Sequence, residues 1–200
     1  MSSPSEDWVQ RKKAIREEAH RRRNAQESKD ELSKQICATF MTLPEYEAAR
    51  TIMFYVDARS EVRTRNSLQD ALNTHKKIVV PWCNPQQELE LFHLEDMSEL
   101  ALGMYKILEP KPELRHLPQK IVQPEHLDLV MVPGVAFDRR GARMGHGFGY
   151  YDKLLSRVRG EAPRIALAFE CQFFDEIPVQ EHDMFMHKIV TEKQVVSHKT

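Results

Sequence analysis

Five of the seven glycines in this chain lie between Gly134 and Gly149. The apolar run 127–132 precedes them, and a helix-like pattern over 150–155 follows them. A strand, a glycine loop and a helix in this order can bring backbone N–H groups against a phosphate. Glycine allows close approach and positive φ, and a helix N-terminus favours an anion. The segment therefore predicts a strand, a glycine loop and a helix in succession.

The last three glycines of this segment, Gly145, Gly147 and Gly149, match neither common phosphate-loop pattern. A dinucleotide fingerprint needs its third glycine one position later, and a Walker loop needs a Gly-Lys-Ser/Thr ending. A flexible surface loop would also use glycine, so the spacing alone leaves both interpretations open. Neighbouring side chains favour ligand binding, since they supply guanidinium groups suited to phosphate and a carboxylate of the kind Mg²⁺ takes: Arg139, Arg140, Arg143 and Asp152.

Length and charge set further limits. The chain has 200 residues, of which 41% are hydrophobic, enough for one substantial core. The formal net charge of −1 argues against general attraction to nucleic acid or anionic membranes. Locally, seven basic and two acidic residues lie between Arg11 and Arg23, a balance of +5.

Targeting and cysteine usage favour a cytoplasmic setting. No apolar stretch reaches the length of a membrane span, and the N-terminus lacks the apolar core of a signal peptide. Cys37, Cys83 and Cys171 are odd in number and far apart, which suggests neither a disulfide framework nor a zinc site. We expect a reduced, cytoplasmic protein without a membrane segment.

Strands and helices alternate along the chain. Residues 7–38 are rich in helix formers without Gly or Pro, and buried strands are expected over 51–56, 77–81, 127–132 and 164–169. The predicted fold class is α/β: a single-domain, open, mostly parallel sheet flanked by helices, with a long N-terminal helix. Ligands of such sheets bind at the carboxyl ends of strands.

An ordered set of motifs makes the chain resemble the 5-formyltetrahydrofolate cyclo-ligase family, also called methenyltetrahydrofolate synthetase. The motifs run through nearly the whole sequence, which is taken as a single domain over 1–200. They are Lys12-x-x-x-Arg16, Glu61-x-x-Thr64, Val132 to Asp138, Gly141-x-Arg143-x-Gly145-x-Gly147-x-Gly149-Tyr150-Tyr151-Asp152, Ile177-Pro178 and His182-Asp183.

The resemblance implies an ATP- and Mg²⁺-dependent cyclisation of 5-formyltetrahydrofolate to 5,10-methenyltetrahydrofolate, ADP and phosphate. The formyl oxygen would be phosphorylated to an activated imidate, which N10 then attacks. Such chemistry depends on positioning and charge stabilisation. The implied partners are 5-formyltetrahydrofolate and ATP, and the implied cofactor is Mg²⁺. We expect no nucleic-acid partner and a monomeric enzyme of folate one-carbon metabolism.

The resemblance also implies roles for individual residues. Arg143 and Tyr151 would be catalytic, and Asp152 and Asp183 would hold the metal. The implied ATP contacts are Lys12, Arg16, Arg143, Met144, Gly145, His146, Gly147, Phe148, Gly149, Tyr150 and Tyr151. The implied folate contacts are Val56, Glu61, Tyr105, His146, Gly147, Phe148, Gly149 and Tyr150.

Each role has an ordinary structural alternative. Lys12 and Arg16 share one helix face and could be a solvated basic surface, and Glu61 could be an N-terminal helix charge before Thr64. His146 and Phe148 depart from the family pattern, because many members carry arginine or tyrosine at the first position and glycine or lysine at the second. His187, where aspartate is frequent, is expected to be structural.

Two other functions stay open. A cyclo-ligase-like domain without catalysis could serve as a binding module for nucleotide or RNA, which the basic segment 11–23 alone supports. Some other ATP-dependent kinase or ligase on a similar core would need a different pocket around Glu61.

Overall fold

The computed structural model of the protein describes residues 4–103, 107–180 and 183–198, with the backbone alone for 4–7. Its α-helices are α1 (Pro4–Ala25), α2 (Lys29–Met41), α3 (Pro44–Ala48), α4 (Arg65–Leu72) and α5 (Tyr150–Leu155). Short 3₁₀ turns span Met97–Glu99, Pro118–Lys120, Pro124–His126 and Glu170–Gln172.

The strands are short, and most belong to one sheet. They are β1 (Thr51–Met53), β2 (Lys77–Cys83), β3 (Leu89–Leu94), β4 (Leu100–Leu102), β5 (Leu108–Pro110), β6 (Ile121–Val122), β7 (Leu129–Val132), β8 (Ala136–Phe137), β9 (Arg143–Met144), β10 (Arg164–Leu167), β11 (Lys188–Val190) and β12 (Val195–Ser197).

The central sheet has the order β12-β11-β10-β7-β1-β2-β3-β6. Its five inner neighbours β11, β10, β7, β1 and β2 pair in parallel, whereas β12, β3 and β6 are antiparallel additions at the two sides. Two small hairpins, β4–β5 and β8–β9, lie outside this sheet. The predicted α/β class with a mostly parallel sheet is confirmed.

Both faces of the sheet are covered, which explains why its inner strands are apolar after their first residues, four of which are polar: Thr51, Lys77, Arg164 and Lys188. Ile52 faces a core that includes Ile36 and Phe40 of α2, Tyr46 of α3 and Leu68 of α4. The next residue, Met53, joins the opposite core with side chains of α5. Alternate side chains of β1 thus supply two cores.

The N-terminal helical segment differs from the prediction over 7–38. It consists of two helices, because Ser28 adopts a left-handed conformation with φ 51° between α1 and α2. A residue in the left-handed conformation interrupts a right-handed helix at that point. The break lets α2 pack into the sheet core while α1 runs toward the glycine segment, where Ala19 is fully buried.

The segment 109–124, rich in proline and charge, contains more structure than its composition indicates. It holds most of β5, a 3₁₀ turn and β6, and its Lys120 is buried in an ion pair with Glu95 and Glu99. Two- and three-residue strands carry too little periodicity to be predicted. Among the described residues, no helix is long and apolar enough to cross a membrane.

Candidate functional site

The candidate site lies where the strand order reverses. From the central β1 the chain moves to β2 on one side and later to β7 on the other. The loops that follow β1 and β7 therefore diverge around a crevice at the carboxyl edge of the sheet, the usual ligand position in such folds. The first loop carries Glu61, and the second begins the glycine segment at Gly134.

The loop after β1 is fixed by buried polar contacts. The Thr64 backbone N–H donates to Asp57 Oδ1 at 3.0 Å, and the Thr64 hydroxyl donates to the Tyr55 carbonyl at 2.7 Å. Within the closed loop, the Ala58 N–H donates to Glu61 Oε2 at 2.9 Å. Glu61 is 9% exposed, so one carboxylate oxygen is held while the side chain keeps an accessible edge.

Val56 precedes this loop and is buried in the sheet core. Its position next to the Glu61 loop agrees with a pocket-lining role without requiring one. Two other residues named by the resemblance, Tyr105 and His182, lie outside the described residues.

The β8–β9 hairpin begins the glycine segment, and Asp138 organises it. This carboxylate is fully buried and accepts hydrogen bonds from the backbone N–H groups of Arg140, Ala142 and Ile177. The Arg140 guanidinium binds it as well, at 2.7 and 3.0 Å. Arg140 is thereby engaged in the hairpin, and Arg139 contacts Gln194 at 3.2 Å instead of the site.

Arg143 leaves the hairpin and points into the glycine loop. Its side chain is 3% exposed, and its Nη2 donates to Asp152 Oδ1 at 2.7 Å. Its Nε is buried without a hydrogen-bond partner, and its guanidinium carbon lies 5.8 Å from the centroid of the Tyr151 ring. The buried Met144 follows it in β9.

Gly147 and Gly149 adopt φ values of 105° and 70°, which only glycine takes without strain. Gly149 is the N-cap of α5, so the loop ends directly on the helix that carries Asp152. Between these glycines, Phe148 stacks on Tyr150 with ring centroids 5.4 Å apart and is 67% exposed. The Tyr150 hydroxyl hydrogen-bonds with the Cys83 thiol at the end of β2.

Helix α1 crosses the glycine loop with one cationic face. Lys12 Nζ lies 3.4 Å from Asp183 Oδ2, and Arg16 Nε donates to the Gly145 carbonyl at 3.0 Å. Asp183 Oδ2 also accepts from the Gln180 N–H at 2.8 Å. The structure therefore places Lys12 and Arg16 against the glycine loop and one predicted metal ligand, and both are half-buried.

The same face extends beyond the two predicted residues. His20 stacks on His146 at 5.4 Å between ring centroids, and His146 Nε2 lies 3.7 Å from Glu61 Oε1. Arg23 is buried close to Glu61. The helical spacing of Lys12, Arg16, His20 and Arg23 is visible in the sequence and could have identified the two that were missed.

Tyr151 has an environment that keeps its hydroxyl protonated. Burial raises its pKa well above the usual value, the negative charge of Glu61 raises it further, and Arg143 opposes both. The phenol can donate a hydrogen bond in this setting, whereas it cannot act as a base near neutral pH.

Both predicted metal ligands contact a cation: Asp152 binds Arg143, and Asp183 binds Lys12. Within the described residues, no cluster of three or more His, Cys, Asp or Glu side chains could hold a metal. Mg²⁺ commonly takes one or two carboxylates together with phosphate oxygens and water. A pair of aspartates fits that requirement.

His187 has a structural environment, as expected. Its Nδ1 accepts a hydrogen bond from the Arg164 N–H at 3.0 Å, beside the amino end of β10.

A sequence profile of the 5-formyltetrahydrofolate cyclo-ligase family matches residues 8–192. The chain belongs to this family. It is 31% identical over 179 residues to the mitochondrial 5-formyltetrahydrofolate cyclo-ligase of Arabidopsis thaliana, covering 79% of this chain and 65% of that protein. The Escherichia coli K12 enzyme of the same name is 29% identical over 178 residues, covering 88% and 96% of the two chains.

A solved structure agrees with the cyclo-ligase assignment. The NMR structure of 5,10-methenyltetrahydrofolate synthetase from Aquifex aeolicus superimposes with a TM-score of 0.81 at 30% identity, covering 94% of this chain and 93% of that one. The predicted family is thereby confirmed, and with it the enzyme class, a ligase of folate metabolism.

Proposed function

We propose that this cyclo-ligase family member converts 5-formyltetrahydrofolate, ATP and Mg²⁺ into 5,10-methenyltetrahydrofolate, ADP and phosphate. We further propose that residues 1–200 act as one cyclo-ligase-like domain and as a monomer. One observation carries the proposal: α1, the glycine loop and the Glu61 loop converge at the carboxyl edge of the sheet, with Arg16 bound to Gly145 and His146 beside Glu61.

The chemistry has two steps. The formyl oxygen attacks the γ-phosphorus of ATP, so that a P–O bond forms and the bond to ADP breaks. N10 of the folate then attacks the former formyl carbon, the C–O bond breaks, and phosphate leaves as N10 gives up its proton. The formyl oxygen is a poor leaving group until it carries phosphate, which is why ATP is consumed.

Phosphate binding is assigned to cations and backbone donors. Arg16 bonds to the Gly145 carbonyl, Arg143 bonds to Asp152 at the end of the glycine loop, and Lys12 bonds to Asp183. The buried, unpaired Nε of Arg143 leaves that guanidinium with unused hydrogen-bonding capacity. Loop N–H groups from Met144 to Tyr151 would add donors. Preorganised donors of this kind stabilise charge that moves between phosphate and leaving oxygen.

Asp152 and Asp183 would hold Mg²⁺, which when bound neutralises phosphate charge and orients the γ-phosphate. Arg143 binds the Asp152 carboxylate, and Lys12 binds the Asp183 carboxylate. Tyr151 keeps its proton and can donate a hydrogen bond to a developing negative charge.

The folate side of the site is assigned to the Glu61 loop. The pterin presents an edge of N–H donors that a carboxylate can accept in pairs. Glu61 is oriented by the Ala58 N–H for that purpose, and Val56 with the loop residues from His146 to Tyr150 would line the ring. Tyr105 is proposed to contact the folate on the basis of the family resemblance alone.

The alternative of an RNA-binding module finds little support in the basic segment. Each of its seven basic residues contacts another group of the chain, so the charge is largely used internally. The contacts are Arg11–Glu176, Lys12–Asp183, Lys13–Glu17, Arg16–Gly145, Arg21–Glu18, Arg22–Glu18 and Arg23–Gly134.

The test is the cyclisation assay with purified protein and the natural substrate isomer. The methenyl product absorbs in the near ultraviolet, and its appearance should require both ATP and Mg²⁺. Omitting each in turn provides the controls. No product with all three components present would overturn the proposed function, and product without ATP would overturn the proposed mechanism.

A further inference from the structure

Arg23 lies in the last turn of α1 and is 1% exposed. Charged side chains are seldom fully buried unless paired, because removal of a charge from water is costly. Within the described part of the chain Arg23 forms no ion pair. Its Nε donates to Ser60 Oγ at 3.0 Å, and its Nη1 donates to the Gly134 carbonyl at 3.2 Å.

These two neutral acceptors belong to the two loops of the candidate site. Ser60 directly precedes Glu61, and Gly134 begins the glycine segment after β7. The Gly134 carbonyl also accepts from Gln172 Nε2 at 2.9 Å, so it is held from two sides. One guanidinium therefore ties the helix to both loops.

The positive charge of Arg23 also interacts with the Glu61 carboxylate in the loop after β1. Burial lowers the pKa of Arg23, and the negative charge of Glu61 opposes that shift most strongly. Arginine remains protonated in proteins, so a permanent cation stands near the Glu61 carboxylate. Both side chains are shielded from solvent, and their attraction is correspondingly stronger than in water.

We propose that Arg23 is a positioning residue for folate binding: it fixes the Ser60–Glu61 segment against Gly134 and so sets where the Glu61 carboxylate meets the substrate. This inference rests on the proposed function of Glu61. Arg23 does not touch the reacting atoms. Its loss should weaken folate binding and leave the contacts of ATP with Lys12 and Arg16 in place.

The test compares steady-state kinetics of wild type, Arg23→Gln, Arg23→Lys and Ser60→Ala. Arg21→Gln is the matched control, since Arg21 lies in the same helix, is 72% exposed and pairs with the neighbouring Glu18. For Arg23→Gln we expect the KM for 5-formyltetrahydrofolate to rise about tenfold, the size of one charged hydrogen bond. The KM for ATP should stay within about twofold of wild type.

Partial recovery in Arg23→Lys, which keeps the charge, would support positioning by the cation. A merely structural role lowers the amount of active enzyme and thus kcat, without changing the KM for folate. An unchanged folate KM in Arg23→Gln would overturn the proposal. If Arg23→Gln does not fold, Ser60→Ala decides, because it removes only one acceptor: a raised folate KM supports the proposal and an unchanged one overturns it.

Failure of the proposed function is recognised separately. In that case wild type itself gives no methenyl product, and amide hydrogen exchange of residues 58–61 replaces the kinetic readout. Faster exchange there in Ser60→Ala, with the helical amides of α1 unchanged, would still support positioning by Arg23. Equal exchange in wild type and variant would overturn it.

Discussion

Arg143 and Asp152 are nine residues apart in sequence, yet their side chains meet at 2.7 Å across the glycine loop. This ion pair joins the entrance of the loop at β9 to its exit on α5. Both groups also have proposed roles toward ATP and Mg²⁺. The loop is therefore preorganised by the same two residues that are assigned to phosphate and metal, which reduces the cost of ordering them on binding.

Asp152→Asn should lower kcat by about 100-fold or more, because even partners of metal ligands contribute 10–100-fold. The neutral amide is a weaker Mg²⁺ ligand and no longer neutralises Arg143. Half-maximal activity should accordingly need more Mg²⁺. A magnesium titration of turnover checks this, with Glu161→Gln as an exposed acidic control. The same magnesium dependence in wild type and Asp152→Asn would exclude Asp152 as a metal ligand.

The contact between Arg16 and the Gly145 carbonyl leads to a second prediction. Arg16→Gln should raise the KM for ATP by about tenfold or more, since a charged donor to phosphate and loop is lost. Lys13→Gln is the matched control, because Lys13 lies in the same helix, is 69% exposed and pairs with the neighbouring Glu17. Equal ATP affinities of the two variants would place the phosphates elsewhere.

Asp138 belongs to the family motif from Val132 to Asp138, and we expect it to stabilise the fold. Asp138→Ala should reduce the free energy of unfolding by at least about 3 kcal/mol, because three backbone donors and Arg140 lose a buried acceptor. Urea denaturation measures the change, and Asp175→Ala, at an exposed position, is the control. A change no larger than that of the control would show that the hairpin does not depend on this carboxylate.

The sequence predicted the sheet class and the glycine segment because both leave long-range patterns. Apolar runs such as 127–132 indicate inner strands. The positive φ values of Gly147 and Gly149 favour glycine at both positions. Lys12 and Arg16 were predicted as ATP contacts only through the family resemblance, since the sequence of a basic helix face is the same whether that face is solvated or packed on a loop.

Other features depend on tertiary contacts that no local pattern contains. The helix breaks at Ser28, where the sequence has neither Gly nor Pro, and α2 beyond it packs into the core. The burial of Arg23 could not be predicted from sequence, because Arg23 is the third of three consecutive arginines and its bonds to Ser60 and Gly134 join segments far apart in the chain. Arg139, Arg140 and Arg143 likewise have different contacts because of their positions in the hairpin, and residue type alone could not distinguish them.

His187 connects stability with pH. Burial lowers its pKa below the usual value, the positive charge of Arg164 lowers it further, and Glu45 opposes both. The native state therefore favours the neutral ring, whose Nδ1 accepts the Arg164 N–H. A histidine whose pKa is lower in the folded than in the unfolded protein stabilises the fold above its unfolded pKa, and this stability is lost as pH falls through the folded pKa. His20, His93 and His198 shift in the same direction.

We therefore expect the urea midpoint of unfolding to fall as the pH is lowered from about 7.5 to about 5. In His187→Asn, whose amide oxygen can still accept the Arg164 N–H, part of this pH dependence should disappear, so that wild type and variant converge at acidic pH. His126→Asn, at an exposed position, should keep the wild-type slope. Parallel curves for wild type and His187→Asn would mean that protonation of this ring does not limit stability, and the acid sensitivity would then belong to the other three histidines.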